Sequence, residues 1–262
     1  MPNRACALIT GASSGLGRAL ALALAAPGTV LHLGGRDAGR LEAVATACRA
    51  QGAMAWPAVI DVRDATAMAA WIAGAGRLDL AIANAGISGG THGGGEGAAQ
   101  ARAIFAVNLD GALNTALPAL EVMRGQAAGA DGVRGRIAVI ASIAAFVAAP
   151  GAPAYAASKA AADAWTVGTA PLARRLGVRM TSVCPGFVRT PMTAGNRFAM
   201  PGLMDAERAA RLILRGIAAG RVRIAFPWWM AAAARAVGAL PPGLTGRLLA
   251  ATPGKRRLPA PQ

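Results

Sequence analysis

The feature that most constrains this chain stands near its start, where Cys6-Ala-Leu-Ile-Thr10 runs directly into Gly11-Ala-Ser-Ser-Gly15-Leu-Gly17. A short apolar run of this kind reads as a buried strand. The alanine- and leucine-rich stretch from Arg18 to Ala26 reads as a helix. Strand, glycine turn and helix in that order turn the free N–H groups of the helix start towards an anion, which makes the turn a phosphate cradle. Gly11 permits the tight turn, Gly15 lets the backbone approach a pyrophosphate and Gly17 allows close helix packing, with Ser13, Ser14 and Leu16 completing the loop. Glycine-rich turns also occur in ordinary loops; the setting between strand and helix is what makes this one specific.

A second constellation lies far along the chain. Tyr155-Ala-Ala-Ser-Lys159 holds the only tyrosine and one of only two lysines in a protein that otherwise uses arginine for its positive charge. Residues four apart share one face of a helix, so the Lys159 ammonium can sit near the Tyr155 phenol. A phenol with a pKa near ~10 donates and accepts protons poorly at neutral pH. A neighbouring cation favours the phenolate and lowers that value. The pair is then equipped to move a proton on and off a carbonyl or alcohol oxygen. An ordinary surface helix could show the same spacing.

At 262 residues the chain suits one α/β domain with a sizeable core. Hydrophobic residues make up 55% and aromatics only 4%, so alanine, valine and leucine supply the packing. Cys6, Cys48 and Cys184 are scattered, odd in number and without metal-ligand spacing, so no metal is expected and they read as reduced core residues of a cytoplasmic protein. No signal peptide is expected, because Cys6–Thr10 already reads as a strand. No apolar run is expected to span a membrane; the best stretch, 225–240, is interrupted by Pro227 and Arg235. The net charge of +15 could serve nucleic acid, anionic lipid or a phosphorylated cofactor. The arginines are dispersed and not interleaved with aromatics, so nucleic acid is not expected as a partner. Arg208, Arg211 and Arg215 read as a solvated helix face, and Lys255-Arg256-Arg257 as a solvated tail.

Thr10–Gly17 (TGASSGLG) and Tyr155–Lys159 resemble the TGxxxGxG and YxxxK motifs of the short-chain dehydrogenase/reductase family, and the resemblance runs from about Arg4 to about Ala225. It implies a doubly wound, Rossmann-type α/β domain with a mainly parallel seven-stranded sheet and a nicotinamide dinucleotide cofactor. In this resemblance Tyr155 exchanges a proton with the substrate oxygen, Lys159 lowers its pKa and binds nicotinamide ribose hydroxyls, Ser142 holds the oxygen and Asn108 positions a relay water.

Val30–Leu33 reads as the second strand, ending in Gly34-Gly35-Arg36-Asp37. An acidic residue at this strand end would bind the adenosine 2′-hydroxyl; Gly35 stands there instead and Arg36 follows, which by resemblance favours NADP over NAD. Arg36 as a plain surface arginine remains open, and Asp37 reads as a helix cap. A helix over 37–51 and a strand over 55–60 lead to Asp61-Val62, which the family places against adenine; a turn role for Asp61 stays open, and Asp64 reads as a cap. A strand over 78–83 runs into Asn84-Ala85-Gly86, similar to the family's NAG motif, which stabilises the sheet and lines the cofactor site. The glycine-rich loop 88–97 is expected to be mobile, with His92 solvated rather than catalytic.

A long helix is expected over 98–124. Asn108 and Gly111 inside it cost stability, and Asn108 can signal a local distortion that frees a backbone carbonyl for water. The resemblance makes this VNxxG context the catalytic asparagine; the residues alone make it structural. After a strand over 136–140, Ser142 stands thirteen residues before Tyr155, the interval of the family's catalytic serine. A hydroxyl at a parallel strand's carboxyl end points into the ligand crevice. A helix over 153–175 carries Tyr155 and Lys159.

A strand over 178–184 ends in Pro185-Gly186-Phe187-Val188-Arg189-Thr190, which resembles the family's PG motif, with the Val188 backbone and Thr190 hydroxyl on the nicotinamide carboxamide. Residues 191–203 read as a lid. Met192, Phe198, Met200 and Met204 then point either to an apolar substrate or to a lid packed on its own body. A helix over 205–219 and a strand over 222–225 close a catalytic domain of residues 1–225. Residues 226–262 depart from the family's commonest ending and read as a helical extension. Trp228 and Trp229 could meet a membrane surface, a partner subunit or the substrate cleft. A homodimer or other homo-oligomer acting on a small-molecule substrate is expected. The alternative is a cofactor-sensing or peripheral membrane protein of the same fold with little turnover.

Overall fold

The computed structural model describes residues 5–91, 95–196 and 198–249; His92 and the basic tail Lys255-Arg256-Arg257 lie outside them. The chain begins with β1 (Cys6–Thr10), α1 (Gly15–Leu24), β2 (Val30–Gly35), α2 (Ala38–Arg49), β3 (Met54–Val59), α3 (Ala65–Gly74) and β4 (Leu80–Ala83). It continues through α4 (Ala98–Phe105), a π-helical turn (Ala106–Asp110), α5 (Gly111–Gly125), β5 (Gly135–Ile140), α6 (Pro153–Arg175) and β6 (Val178–Pro185). The last part comprises β7 (Val188–Arg189), α7 (Pro191–Ala194), β8 (Met204–Asp205), α8 (Ala206–Ala218), β9 (Arg223–Phe226), α9 (Trp228–Gly238) and α10 (Pro242–Leu249).

Seven strands form one parallel sheet in the order β3-β2-β1-β4-β5-β6-β9. Parallel strands are covered on both faces, and β1 is buried at every residue. Its alternating side chains feed two cores: Ala7 and Ile9 pack with α1, α2 and α8 on one face, Leu8 with α3, α5 and α6 on the other. Ile213 of α8 is fully buried, and such a side chain contributes about 1.5–3 kcal/mol through lost apolar exposure. The fold is therefore the doubly wound α/β architecture expected from the sequence, with every strand of the main sheet parallel.

Strand bounds shift for local reasons. The strand expected to start at Leu78 starts at Leu80; the two residues before it are held by mixed bonds, with Asp79 N donating to the Cys6 carbonyl at 2.9 Å, the Asp79 carboxylate accepting from Cys6 N at 2.9 Å and the Gln126 amide oxygen accepting from Leu78 N at 3.2 Å. Asp37 and Asp64 cap α2 and α3, each accepting from a backbone N–H at 2.9 Å. The helix expected over 98–124 is continuous but widens into the π-turn around Asn108, the distortion its sequence foreshadowed. By length and composition this helix, Ala98–Gly125, is apolar enough to cross a membrane, contrary to the expectation that no run would be. Here Val107, Ala112, Ala116, Ala119 and Met123 face the sheet core, so it packs as a core helix. The pairing of β7 with β8, which closes the ends of the expected lid, had no signal in the sequence.

Candidate active site

The strand order reverses at β1 and β4, and in such sheets the crevice beyond the carboxyl ends of the strands takes the ligand. A cavity of about 560 Å³ opens there. Gly11, Ser13, Ser14, Gly15, Leu16 and Gly17 line it from one end, with Arg36, Asp61, Val62, Asn84, Ala85 and Gly86 beside them. Ser142, Tyr155, Lys159, Pro185, Gly186, Val188 and Thr190 line the other part. Asn108 does not reach the cavity surface and sits behind it, 1% exposed.

The glycine turn is close-packed on its own backbone. A Cβ on Gly17 would lie 2.2 Å from the Gly11 carbonyl oxygen. Asn84 fastens the turn to β4: its Nδ2 donates to the Thr10 and Gly11 carbonyls at 2.9 and 3.1 Å, while Asn84 N and Ala85 N donate to the Thr10 hydroxyl at 3.1 and 3.2 Å. Ser14, at the start of α1, makes no side-chain cap, unlike Asp37 and Asp64. The amides of α1 are thus left to meet an anion arriving from the cavity, and the turn fits the pyrophosphate of a dinucleotide.

Arg36 is exposed at the cavity rim. Two charged residues of the lining, Asp37 and Arg40, were not singled out in the sequence as ligand contacts. Arg40 Nε donates to the Asp37 carboxylate at 2.8 Å, and the bond from Arg40 N, first among several, holds the Asp37 carboxyl below its usual range. Asp61 both lines the cavity and pairs with Arg63 at 2.6 Å, so the turn role left open for it is also filled.

Asn108 is fully used as a clamp. Its Oδ1 accepts from Ile87 N at 2.8 Å, and its Nδ2 donates to the Ile87 carbonyl at 3.0 Å and the Ser158 hydroxyl at 3.1 Å. The loop after β4 is thereby tied to α6, the helix that carries Tyr155. Lys159 is 4% exposed and its Nζ donates to the Ile140 carbonyl at 2.7 Å. A Cβ on Gly86 would lie 3.4 Å from that Nζ, so the glycine leaves the ammonium room at the cavity wall.

The expectation for the phenol is corrected here. Burial pushes Tyr155 above its ordinary value, and a hydrogen bond with the Ser142 hydroxyl pulls it part of the way back. Desolvation disfavours the charged phenolate. Another residue without a sequence signal is Glu96. Its carboxylate accepts from Ala154 N at 2.8 Å in the first turn of α6, one residue before Tyr155. Thr91 N also donates to the Gly151 carbonyl at 3.1 Å, so the glycine-rich loop expected to be mobile is tied to the Tyr155 helix at Glu96 and to the turn before that helix at Thr91.

Of the lid residues, Met192 lines the cavity, whereas the Phe198 ring packs edge-on to Phe187 at 5.9 Å. The Phe198 contact fits a lid packed on its own body. Trp228 is 78% exposed and Trp229 43%, and neither lines the cavity. Among the described residues, no group of three or more His, Cys, Asp or Glu is placed to hold a metal ion.

A doubly wound sheet with a glycine cradle at its switch point, a serine after the facing strand β5 and a tyrosine and lysine on the following helix α6 defines a nucleotide-dependent oxidoreductase of the short-chain type. The short chain dehydrogenase profile matches residues 5–200, and the chain belongs to that family. It is therefore an oxidoreductase that uses a nicotinamide cofactor. It is 38% identical over 239 residues to an uncharacterized oxidoreductase of Myxococcus xanthus, covering 90% of this chain and 92% of that one. It is 32% identical over 210 residues to a Streptomyces virginiae protein named as a ketoacyl reductase of the monensin polyketide synthase, covering 79% of each. The solved structure of levodione reductase superposes with a TM-score of 0.77 at 26% identity, over 87% of this chain and 98% of that one.

Proposed function

We propose that the protein reduces a ketone carbonyl with NADPH, with Tyr155 as the group that delivers the proton. The carrying observation is that Ser142, Tyr155 and Lys159 line the same cavity as the glycine cradle. The cofactor, when bound, supplies the hydride. Burial keeps the Tyr155 phenol protonated at neutral pH, so it can donate to a carbonyl oxygen as charge builds there. Ser142 donates to the same oxygen and fixes its position. Lys159, fixed by the Ile140 carbonyl, holds the ribose hydroxyls and stabilises the phenolate left once the proton has gone. Asn108 positions the relay water through the widened helix turn.

Arg36 and Arg40 at the adenosine end, with the Asp37 carboxylate engaged by Arg40, favour a 2′-phosphate. The likeness to a protein named as a ketoacyl reductase makes β-keto esters the first substrates to try, and Met192 at the cavity supports an apolar chain beside the carbonyl. The test is a screen of β-keto esters, cyclic ketones and aldehydes, followed by NADPH absorbance. Turnover of a ketone with NADPH above NADH is expected; oxidation of NADH alone would overturn the cofactor assignment, and no turnover at all would favour a cofactor-sensing role. We further propose a homo-oligomer formed through exposed Leu117, Leu172 and Leu176, checked by light scattering. The exposed Trp228 favours a second, membrane-surface reading; equal pelleting of wild type and Trp228→Ala with phosphatidylglycerol vesicles would sink it.

A further inference from the structure

Ser142 stands at the end of β5 and opens a short helical turn, Ile143–Phe146. Few bonds inside that turn hold it: the Ser142 hydroxyl accepts from Ala144 N at 3.1 Å and the Ser142 carbonyl from Ala145 N at 3.0 Å. Its outer end is gripped from a distant part of the chain. The Arg235 guanidinium of α9 lies 4.1 Å from the centre of the Phe146 ring, and that of Arg223 on β9 lies 5.7 Å from it. At Gly238, the last residue of α9, a Cβ would stand 1.9 Å from the Phe146 carbonyl oxygen. The backbones of α9 and the turn are therefore in contact, and only glycine fits between them.

The grip is anchored in turn on the helix that carries Tyr155. Arg223 donates from Nε and Nη2 to the two oxygens of Asp163 at 2.9 and 2.7 Å, and Asp163 is one helical turn beyond Lys159 on α6. The Ser182 hydroxyl donates to the same carboxylate at 2.6 Å. The start of the extension reaches the opposite wall as well, where Gly186 N donates to the Phe226 carbonyl at 2.8 Å and a Cβ on Gly186 would meet Met230 Sδ at 2.9 Å.

We propose that α9 is the brace of the active site's substrate wall, and that Phe146, held by Gly238, Arg235 and Arg223, is a positioning residue that sets where the Ser142 hydroxyl points. The extension is then a working part of the catalytic body, whatever else its exposed face meets. The proposal rests on the reading of Ser142 as the carbonyl-holding group, and the test separates the two.

Hydrogen exchange and turnover are measured on the full chain as wild type, Gly238→Ala, Arg235→Gln and Phe146→Leu. In Gly238→Ala the new methyl displaces the turn, so amides of residues 143–147 should exchange roughly tenfold faster while the glycine turn 11–17 keeps its protection. Reduction of a probe β-keto ester, ethyl acetoacetate or the best substrate of the screen, should fall about tenfold to hundredfold in kcat, as expected for a misplaced hydroxyl. Affinity for NADPH should stay within about twofold, which a general loss of structure would not allow. Arg235→Gln and Phe146→Leu should show the same pattern more weakly, and they carry the test if Gly238→Ala does not fold. Unchanged exchange at 143–147 in all folded variants overturns the brace. Faster exchange with unchanged kcat overturns the positioning role. Faster exchange in an enzyme whose Ser142→Ala variant keeps full turnover leaves the brace standing and overturns the reading of Ser142 as the carbonyl-holding group.

Discussion

The phosphate cradle of the cleft is assembled from residues that follow one another in the chain, whereas the substrate wall is assembled from residues far apart. On the first side, Gly11 to Gly17 fold back on themselves, with Gly17 against the Gly11 carbonyl, and one asparagine, Asn84, pins the loop to the next strand. On the second, the turn after Ser142 depends on Arg223, Arg235 and Gly238 from the end of the chain and, through Arg223, on Asp163. Phosphate recognition needs only backbone N–H groups in a set geometry, which a short motif can encode. Placing a hydroxyl against a variable substrate needs rigid support from outside the loop. The difference teaches that cofactor binding and turnover should be separable by mutation.

The largest expected effect tests that separation directly. Tyr155→Phe should lower kcat by about a thousandfold, roughly 4 kcal/mol in the barrier, with NADPH affinity unchanged; turnover by absorbance and binding by cofactor fluorescence check it. Loss of both together would break the comparison.

Arg223→Met comes next, because it leaves the Asp163 carboxylate, whose side chain is 8% exposed, without its partner. A cost of about 3 kcal/mol in urea unfolding is expected at neutral pH. Arg223 and Ser182 hold the folded-state pKa of Asp163 below its ordinary value although burial opposes them. The stabilisation from the pair is therefore present above the ordinary carboxylate range and lost as pH falls through the folded value. The gap between wild type and Arg223→Met should close on acidification, and a pH-independent gap would contradict the assignment.

On the cofactor side, Gly17→Ala puts a methyl into the Gly11 backbone and should weaken NADPH binding by about 2 kcal/mol, measured by calorimetry, with the Ser142 turn still protected from exchange. The smallest effect sharpens the cofactor assignment. Arg36→Ala should cost about 1.5 kcal/mol in NADPH affinity, roughly tenfold, and leave NADH affinity unaltered. Equal losses for the two cofactors would show that Arg36 meets no 2′-phosphate.

Much of this architecture was legible before any coordinates. Every strand of the main sheet was placed to within a residue or two, and the central strands β1 and β4, buried at every residue, read as unbroken apolar runs. The asparagine and glycine inside one long helix marked the widened turn at Asn108, since both residues are poor interior helix formers. Glu96 was not legible, because a carboxylate in a glycine-rich loop carries no mark of the helix it will cap. Arg40 carried no signal of its own, and only the approach of α2 to the cavity brings it into the same lining as Arg36. The Asp163–Arg223 pair joins residues whose separation exceeds any local pattern.

The sequence by itself determined the phosphate cradle and the shared helical face of Tyr155 and Lys159, since both follow from backbone geometry over a few neighbouring residues. Tertiary structure alone decided how acidic the phenol is and what holds the serine turn. Proton affinity depends on how much water the rest of the chain removes from around a group, and burial here raises the Tyr155 value where its neighbour in sequence pointed the other way. Support of the Ser142 turn depends on which distant backbone comes to rest on it, and at Gly238 that contact needs the absence of a side chain.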